Sequence, residues 1–202
     1  MTQARGPIHP IASDQWTTTR STTGVEYTCG YCGNRAGPGQ HYETDKGHGT
    51  IYICPACNQP TFMLGKGYRN QTPGPVYGRD IAYLPEDIDT LYSEARRCMT
   101  VGAHTAVVLL GRKLLMHVAV TRGAADKHLT FVDYVDYLDA NHYIPPDSRD
   151  WVDRIRTKGN LANHEIQDII AEDAKLILTL VEALLSYIYE IPGRAEQMSQ
   201  TA

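Results

Sequence analysis

The chain has 202 residues, of which 42% are hydrophobic and 21% charged, and its formal net charge is −4. This composition is enough to bury a core and excludes a disordered polyanion, and the length allows one ordinary domain with a small module. The sequence shows no apolar run near the roughly 18 residues that span a bilayer and no charged-then-apolar leader. We therefore expect a soluble, cytoplasmic protein with no membrane role.

The charge is unevenly distributed along the chain. Residues 1–66 carry five Lys and Arg against four Asp and Glu, whereas residues 86–192 carry eleven against seventeen. A large basic face is therefore excluded, which disfavours tight non-specific binding to nucleic acid. Only a small local basic patch is compatible with these numbers.

Four of the five cysteines form two C-x2-C pairs, "CGYC" from Cys29 to Cys32 and "CPAC" from Cys54 to Cys57. Two such turns supply four thiolates in a tetrahedron, which is the geometry that Zn²⁺ accepts in a closed structural site. Disulfides are disfavoured in an intracellular chain, and no βαβ unit typical of thiol redox proteins surrounds either pair. The spacing predicts one structural Zn²⁺ bound by these four cysteines.

The residues around the cysteines indicate a small β module. The segments "GVEYT", "TIYI" and "TFML" are rich in Thr, Tyr and Ile and predict short strands. Gly30, Gly33 and Pro55 suit the two turns. His41 and His48 lie between the pairs and offer an alternative fourth ligand, although with four cysteines present we expect both on the hairpin surface. Residues 1–65 are thus predicted to be an extended lead-in and a zinc ribbon.

Residues 66–84 are rich in glycine and proline and predict a linker or a packed strap. From Pro85 onward the pattern is helical, with a proline and acidic residues in the first turn. Ile88, Leu91 and Ala95 recur at helical spacing, followed by Cys98, which we expect to be a small core residue. The next segment, "AHTAVVLLGRKLLMHVAV", is apolar nearly all round, so we place this helix at the centre of a bundle.

Three further helices follow. "LTFVDYVDYLDANHYI" predicts an amphipathic helix with Asp133, Asp136 and Asp139 outward, and "PPDSRDWVDRIRTKGN" begins another. The last helix is predicted over roughly 169–190, ending at Pro192, with 193–202 as a flexible tail. The expected fold class is α+β in total, in which a small β zinc ribbon precedes an all-α antiparallel helical bundle over residues 85–192.

The stretch "RIRTKGNLANHE" (154–165) is unusually polar for a segment beside the core. If it is helical, Arg156, Asn160 and His164 share one face, together with Asn163. A histidine can take the 2′-hydroxyl proton of RNA while a guanidinium stabilises charge on the phosphate. The alternative is a structural network, in which these groups satisfy one another or cap helices. The residues alone favour the network.

These helices carry motifs that resemble domain-of-unknown-function family 4145, over roughly residues 84–190. The matching positions are Leu84-Pro85, Glu94-Ala95, Arg112, and the "R-x-x-G-N-x-x-x-H" motif at Arg156, Gly159, Asn160 and His164. That family often has a zinc ribbon in front, and it is similar to the HEPN superfamily of helical bundles. HEPN proteins occur in prokaryotic antiviral, toxin–antitoxin and restriction systems.

The resemblance implies a function. Active HEPN proteins are dimeric, metal-independent ribonucleases, so it implies a homodimer in which Arg156 stabilises phosphate, His164 acts as general acid–base and Asn160 positions them. Two departures favour a HEPN-like scaffold over an efficient nuclease. Seven residues separate Arg156 from His164, where the ribonuclease motif has four to six, and Leu115 and Met116 stand where the family's second helix often has an acid.

Three functions therefore compete. The first is a HEPN-like module of a prokaryotic defence or restriction-type system that binds RNA, DNA or a protein partner, the ribbon making the contact. The second is an endoribonuclease with a composite Arg156/His164 site. The third is a zinc-stabilised protein-interaction adaptor without a nucleic acid role.

Overall fold

The computed structural model describes residues 19–22, 24–65, 70–125, 129–164 and 169–200, excepting the side chains of residues 160–164. The chain divides into two compact units, Met1–Val76 and Tyr77–Ala202. The first unit is built from antiparallel strands and the second from helices. The protein is therefore of the α+β class, and the cysteine pairs lie in its β unit.

The β unit contains seven short strands within the described residues. Their bounds are β1 (Arg20–Ser21), β2 (Tyr27–Thr28), β3 (Arg35–Ala36), β4 (Gln40–Glu43), β5 (Gly49–Ile53), β6 (Pro60–Leu64) and β7 (Asn70–Thr72). Five of them form one antiparallel sheet in the order β1-β4-β5-β6-β7, and β2 pairs with β3. The three predicted strands are present as β2, β5 and β6. The sheet extends past residue 65, because β7 comes from the segment predicted as a linker.

One face of the five-stranded sheet packs on the cysteines. Side chains alternate between the two faces of a strand, so Tyr52 of β5 and Met63 of β6 share a face. Both are buried in a cluster with Tyr27, Cys29 and Cys54. The cysteine pairs and the small core of this unit are therefore one structure, as expected for a module too small to have a large core.

The helical unit contains six α-helices in the described part of the chain. Their bounds are α1 (Glu86–Thr100), α2 (His104–Thr121), α3 (Phe131–Ala140), α4 (Arg149–His164), α5 (Ala171–Leu185) and α6 (Ile191–Gln200), with a π-helical turn (Ser186–Glu190) before α6. Helix α2 contacts α1, α3, α4 and α5. The central position predicted for this apolar helix is confirmed. In α1, Ile88, Leu91 and Ala95 are buried, and Cys98 packs half-buried against the same core.

The aspartates of α3 are exposed, as predicted, and two of them are paired. Thr130 and Asp133 form a reciprocal capping box at the start of the helix, in which each side chain accepts the backbone N–H of the other residue. Asp136 and Asp139 both accept hydrogen bonds from the guanidinium of Arg149, at the start of α4. These contacts fix the start of α3 and hold it to α4.

The prediction that the last helix ends at Pro192 is wrong. Helix α5 passes through the π-helical turn into α6, so residues 193–200, predicted as a flexible tail, are helical. Proline has no N–H for the carbonyl four residues earlier, which here is that of Ile188. The Nη2 of Arg122 donates to this carbonyl at 2.8 Å. A side chain from the end of α2 thus replaces the missing donor, and the chain continues as a helix.

Residues 77–83 form a strap that belongs to the helical unit. Arg96 of α1 donates to two backbone carbonyls of this strap, at 3.0 and 3.1 Å. Arg79 of the strap donates to the carboxylate of Glu190 at 2.6 Å. The Glu190 side chain is only 4% exposed, whereas that of Arg79 is 50% exposed, so the ion pair satisfies a carboxylate that the fold buries. The strap is held by specific polar contacts and is more than a loose connection.

The helix running from Ala171 to Gln200 is long and apolar enough to cross a membrane by length and composition alone. Half of its most apolar window is buried inside the protein, and α5 packs against α1, α2 and α4. Burial in the helical core therefore accounts for much of its apolar character.

Candidate metal centre

The two cysteine pairs form equivalent turns. In the first, the N–H of Cys29 donates to the carbonyl of Asn34 at 2.9 Å, and the N–H of Gly33 donates back to Cys29 at 2.9 Å. The second turn repeats both bonds. The N–H of Cys54 donates to the carbonyl of Gln59 at 3.0 Å, and the N–H of Asn58 donates to the carbonyl of Cys54 at 2.8 Å. The sequence repeat is thus a structural repeat that presents both sulfurs of each pair to the same point.

The glycines of the first turn have two different functions. Gly33 follows the second cysteine and has φ +70°, and its counterpart in the second turn, Asn58, has φ +59°. Glycine adopts this left-handed conformation freely and asparagine tolerates it. Sequence reasoning identified Gly33 and missed Asn58. Gly30 instead allows close approach, because a β-carbon there would lie 2.3 Å from the carbonyl oxygen of Gly74 and 2.6 Å from that of Pro73.

The four sulfur atoms have the geometry of a single metal site. All lie within 4.8 Å of one another, and the Cys29–Cys57 and Cys32–Cys54 pairs are each 3.8 Å apart. A disulfide requires about 2.05 Å, whereas sulfurs placed tetrahedrally at about 2.3 Å from a metal are about 3.8 Å apart. The four cysteines can therefore bind one metal ion, and none of them forms a disulfide.

Burial and backbone amides set the electrostatics of the site. Cys29 and Cys54 are fully buried. Burial raises the pKa of the Cys29 thiol to about 11 and also raises the pKa of Cys57. Burial acts in the same direction on Cys32, but hydrogen bonds from the Asn34 amide and the neighbouring thiols outweigh it and lower that pKa. Since four adjacent thiolates repel one another, the donor set suits a bound cation that replaces the protons.

The two histidines between the cysteine pairs are not part of this cluster. His48 is exposed in the turn between β4 and β5. His41 is half-buried, with its ring centre 5.9 Å from that of Tyr52. Among the residues that the structure describes, the four cysteines are the one group of three or more potential ligands close enough to share a metal ion. The prediction that both histidines lie on the hairpin surface holds for His48 and only in part for His41.

The polar motif of the helical unit lies on α4, which is helical through His164. The Nε of Arg156 lies 3.2 Å from the carboxylate of Asp153, one turn earlier on the same helix. The side chains of Asn160 and His164 lie outside the described residues. The composite Arg156/Asn160/His164 site therefore stays a prediction.

Gly159 of this motif contacts an arginine of α2. A β-carbon at position 159 would lie 3.1 Å from Cδ of Arg112. The Arg112 guanidinium lies over the ring of Phe131, 4.4 Å from its centre, and burial lowers its pKa. Two motif positions that are far apart in the sequence thus form one contact between α2, α3 and α4. Close packing, rather than a kink, explains the glycine in this helix.

A shallow groove of about 520 Å³ between α1 and α2 contains a pair that sequence reasoning missed. His117 Nδ1 lies 3.6 Å from the carboxylate of Asp87, and Lys113 lies one turn earlier on α2. The side chains of His117 and Asp87 are 40% and 56% exposed. Such an exposed pair contributes little binding or stability by itself, so we assign it no function.

The fold and the site define the class of protein: a β module with a four-cysteine cluster that can bind one metal ion, followed by a helical domain. The model of DUF4145, described as a domain of unknown function, matches residues 93–201, which is just over half of the chain. The chain belongs to this family. No curated protein and no solved structure matches it significantly.

Proposed function

We propose that this protein is a soluble, cytoplasmic binding module in which a zinc ribbon makes the contact with a partner and a HEPN-like helical domain serves as the scaffold. The observation that carries the proposal is the closed set of four sulfurs within 4.8 Å. Four protein ligands complete the tetrahedral shell of Zn²⁺ and leave no position for substrate, so the ion stabilises the fold. The resemblance of the helical motifs to HEPN proteins supports a role in a prokaryotic defence or restriction-type system.

The charges of the ribbon favour a protein partner over nucleic acid. Arg20 pairs with Glu43, and Arg35 pairs with Glu26. Binding to nucleic acid depends on cations that neutralise phosphates, and these two guanidiniums already face carboxylates. A protein is therefore a better candidate than nucleic acid as the partner of the ribbon.

The second candidate function is a dimeric, metal-independent endoribonuclease. It is supported by the continuous helix from Arg149 to His164, because positions four apart in a helix recur on the same side and Arg156, Asn160 and His164 have this spacing. The nearby carboxylate of Asp153 weakens the candidacy of Arg156, because part of its charge is already compensated.

The zinc assignment is tested by elemental analysis of the purified protein. We expect one zinc per chain, lost in Cys54→Ser together with the folding of the ribbon, because structural zinc contributes much of the folding free energy of such a module. Iron in place of zinc would contradict the metal identity while leaving the four-cysteine site intact, since four thiolates also bind iron. An unchanged metal content and melting curve in Cys54→Ser would rule out the site itself.

The ribonuclease candidate is tested with single-stranded RNA in the presence of a chelator. Arg156→Ala and His164→Ala should each abolish cleavage if they form the site, whereas Arg154→Ala, on an exposed position of the same helix, should not. If His164 is instead structural, His164→Ala should lower the free energy of unfolding by about 1–3 kcal/mol. If the folded wild-type protein does not cleave the RNA, the ribonuclease candidate is contradicted and the binding module is the remaining function.

A further inference from the structure

We propose that Tyr83 of the strap is a latch that docks α6, and that α6 undocks as a unit while the rest of the helical unit stays folded. The ring of Tyr83 lies against the backbone of Gly193, since a β-carbon at position 193 would be 2.5 Å from Cγ of the tyrosine. The Tyr83 hydroxyl donates a hydrogen bond to the side chain of Gln197. Gly193 and Gln197 are four positions apart, so the same side of α6 makes both contacts.

Burial contributes little to the position of α6. No residue between Ile191 and Gln200 is buried, whereas α5 just before it buries a complete apolar side. Among the described helices and strands, the main contact of α6 is the π-helical turn that precedes it. Most of the stability of a helix in a folded protein comes from packing its apolar face. The docking of α6 therefore depends on a few specific contacts.

The second contact of α6 also leads to the strap. Arg194 of α6 donates to the carboxylate of Glu190 at 2.8 Å. The same carboxylate accepts a hydrogen bond from Arg79 of the strap, and Arg96 of α1 holds the strap by its backbone carbonyls. The strap thus connects α6 to α1, directly through Tyr83 and indirectly through Glu190.

The junction between α5 and α6 is a weak point of the helix. Pro192 has no N–H for the regular helical hydrogen bond, and glycine, which follows it at position 193, has the lowest helix propensity after proline. The π-helical turn before them also departs from the regular hydrogen-bond pattern. The backbone therefore opens here more readily than within α2 or α5, which identifies residues 191–193 as the hinge.

Tyr83 is strained in the docked state. Its φ is +63°, in the left-handed region that is unfavourable for a bulky residue. Its ring is 41% exposed, so burial offsets this strain only in part. Undocking of α6 removes the contact and lets Tyr83 return to a negative φ. Strain and small burial both bring the docked and undocked states closer in free energy, which is the property of a switchable element.

The latch fixes the direction of an apolar stripe on α6. Ile191, Ala195 and Met198 are three or four positions apart and share one side of the helix. Positions two apart differ by about 200° around a helix, so this side is opposite to Gly193. Ile191 and Met198 are 58% and 74% exposed. Docking holds the stripe in one orientation on the helical unit, and undocking releases it.

The test is hydrogen–deuterium exchange of the full chain, followed by mass spectrometry of its peptides. In the wild type we expect residues 194–200 to be protected but to exchange at least about tenfold faster than the interior of α2, because α6 opens alone. Gly193→Ala gives opposite results under the two explanations. Displacement of Tyr83 should speed the exchange of α6 about tenfold, whereas helix propensity alone would slow it several-fold.

A second variant and a control complete the experiment. Tyr83→Asn removes the ring but tolerates the left-handed conformation, so it should also speed the exchange of α6 about tenfold. Met198→Ala, on the opposite side of α6, should change it by less than about twofold. In all three variants the exchange of α1 and α2 should stay at the wild-type rate.

Faster exchange confined to α6 in both Gly193→Ala and Tyr83→Asn, with Met198→Ala unchanged, would support the latch. Slower or unchanged exchange in Gly193→Ala would overturn it, because α6 would then follow its own helix propensity. Acceleration that extends to α1 and α2 would also overturn it, since α6 would open only with the whole helical unit. A wild-type α6 without any protection would show that the helix is not docked.

Discussion

The side chain of Arg112 lies against the backbone of Gly159, with its Cδ 3.1 Å from the position a β-carbon would occupy. This contact explains why a helix interior contains a glycine, which costs about 1 kcal/mol relative to alanine. The space is used by an arginine whose guanidinium also covers the ring of Phe131. Two positions of the family motif are thus coupled by packing.

Gly159→Ala should therefore depend on what stands at position 112. In the wild-type background we expect little or no stabilisation, because the gain in helix propensity is offset by displacing Arg112 from Phe131. In an Arg112→Ala background the same change should stabilise the protein by about 0.5–1 kcal/mol. Urea unfolding of the four proteins gives the coupling free energy. Equal effects in the two backgrounds would contradict the contact.

Gly30 and Gly33 should respond differently to substitution, although they stand in the same turn. Gly30→Ala places a β-carbon 2.3 Å from a backbone oxygen, so we expect a loss of about 2 kcal/mol or more and weaker metal retention. Gly33→Asn should cost less than about 1 kcal/mol, because asparagine tolerates the left-handed conformation and Asn58 adopts it in the second turn. Thermal melting and metal release to a chelator measure both effects, and a tolerated Gly30→Ala would disprove the close approach.

Arg122 should be coupled to Pro192. Arg122→Ala leaves the Ile188 carbonyl without its guanidinium donor, which we expect to cost about 1–3 kcal/mol. Pro192→Ala restores a backbone N–H at the position that can donate to this carbonyl, so it should recover part of the loss in the Arg122→Ala background. The remainder reflects the stacking of Arg122 on Tyr189. A double-mutant cycle by urea unfolding checks this, and strict additivity would refute it.

Glu190 should make the helical unit sensitive to acid. Hydrogen bonds from Arg79, Arg194 and Ser186 outweigh burial and lower the pKa of Glu190 from 4.5 to about 2. Because the folded-state pKa is the lower one, its stabilisation is complete above about pH 4.5 and is lost as the pH falls towards 2. The shift corresponds to a contribution on the order of 3 kcal/mol.

The measurement is the free energy of unfolding at several pH values between 7 and 2, for the wild type and for Glu190→Gln. The wild type should lose stability more steeply over the acid range than the variant, which cannot titrate at this position. If the free energies of unfolding of the two proteins change with pH in parallel, the titration of Glu190 does not contribute to the pH dependence of stability. Glu94→Gln removes a carboxylate from α1, away from Glu190, and serves as the control for a general change in charge.

Much of the architecture was predictable from the sequence, because it depends on local spacing. The two C-x2-C pairs predicted a four-cysteine centre, since two sulfurs three positions apart can reach one ion from a single turn. The strands at "TIYI" and "TFML" followed from composition, and the central position of α2 followed from a segment that is apolar on all sides. In each case residues close together in the chain determine the outcome.

Other features were decided by residues far apart in the chain. Strand β7 comes from a segment whose composition does not predict a strand. It forms because its backbone pairs with the edge of β6. The helix continues past Pro192, and Arg122, 70 positions earlier, donates to the Ile188 carbonyl, for which the proline offers no N–H. Gly30 and Gly159 are required by neighbours 44 and 47 positions away. The sequence by itself determined three strands, most of the helices and the four candidate metal ligands, because these depend on local spacing and composition, whereas only the tertiary structure decided which distant backbone groups and side chains come into contact.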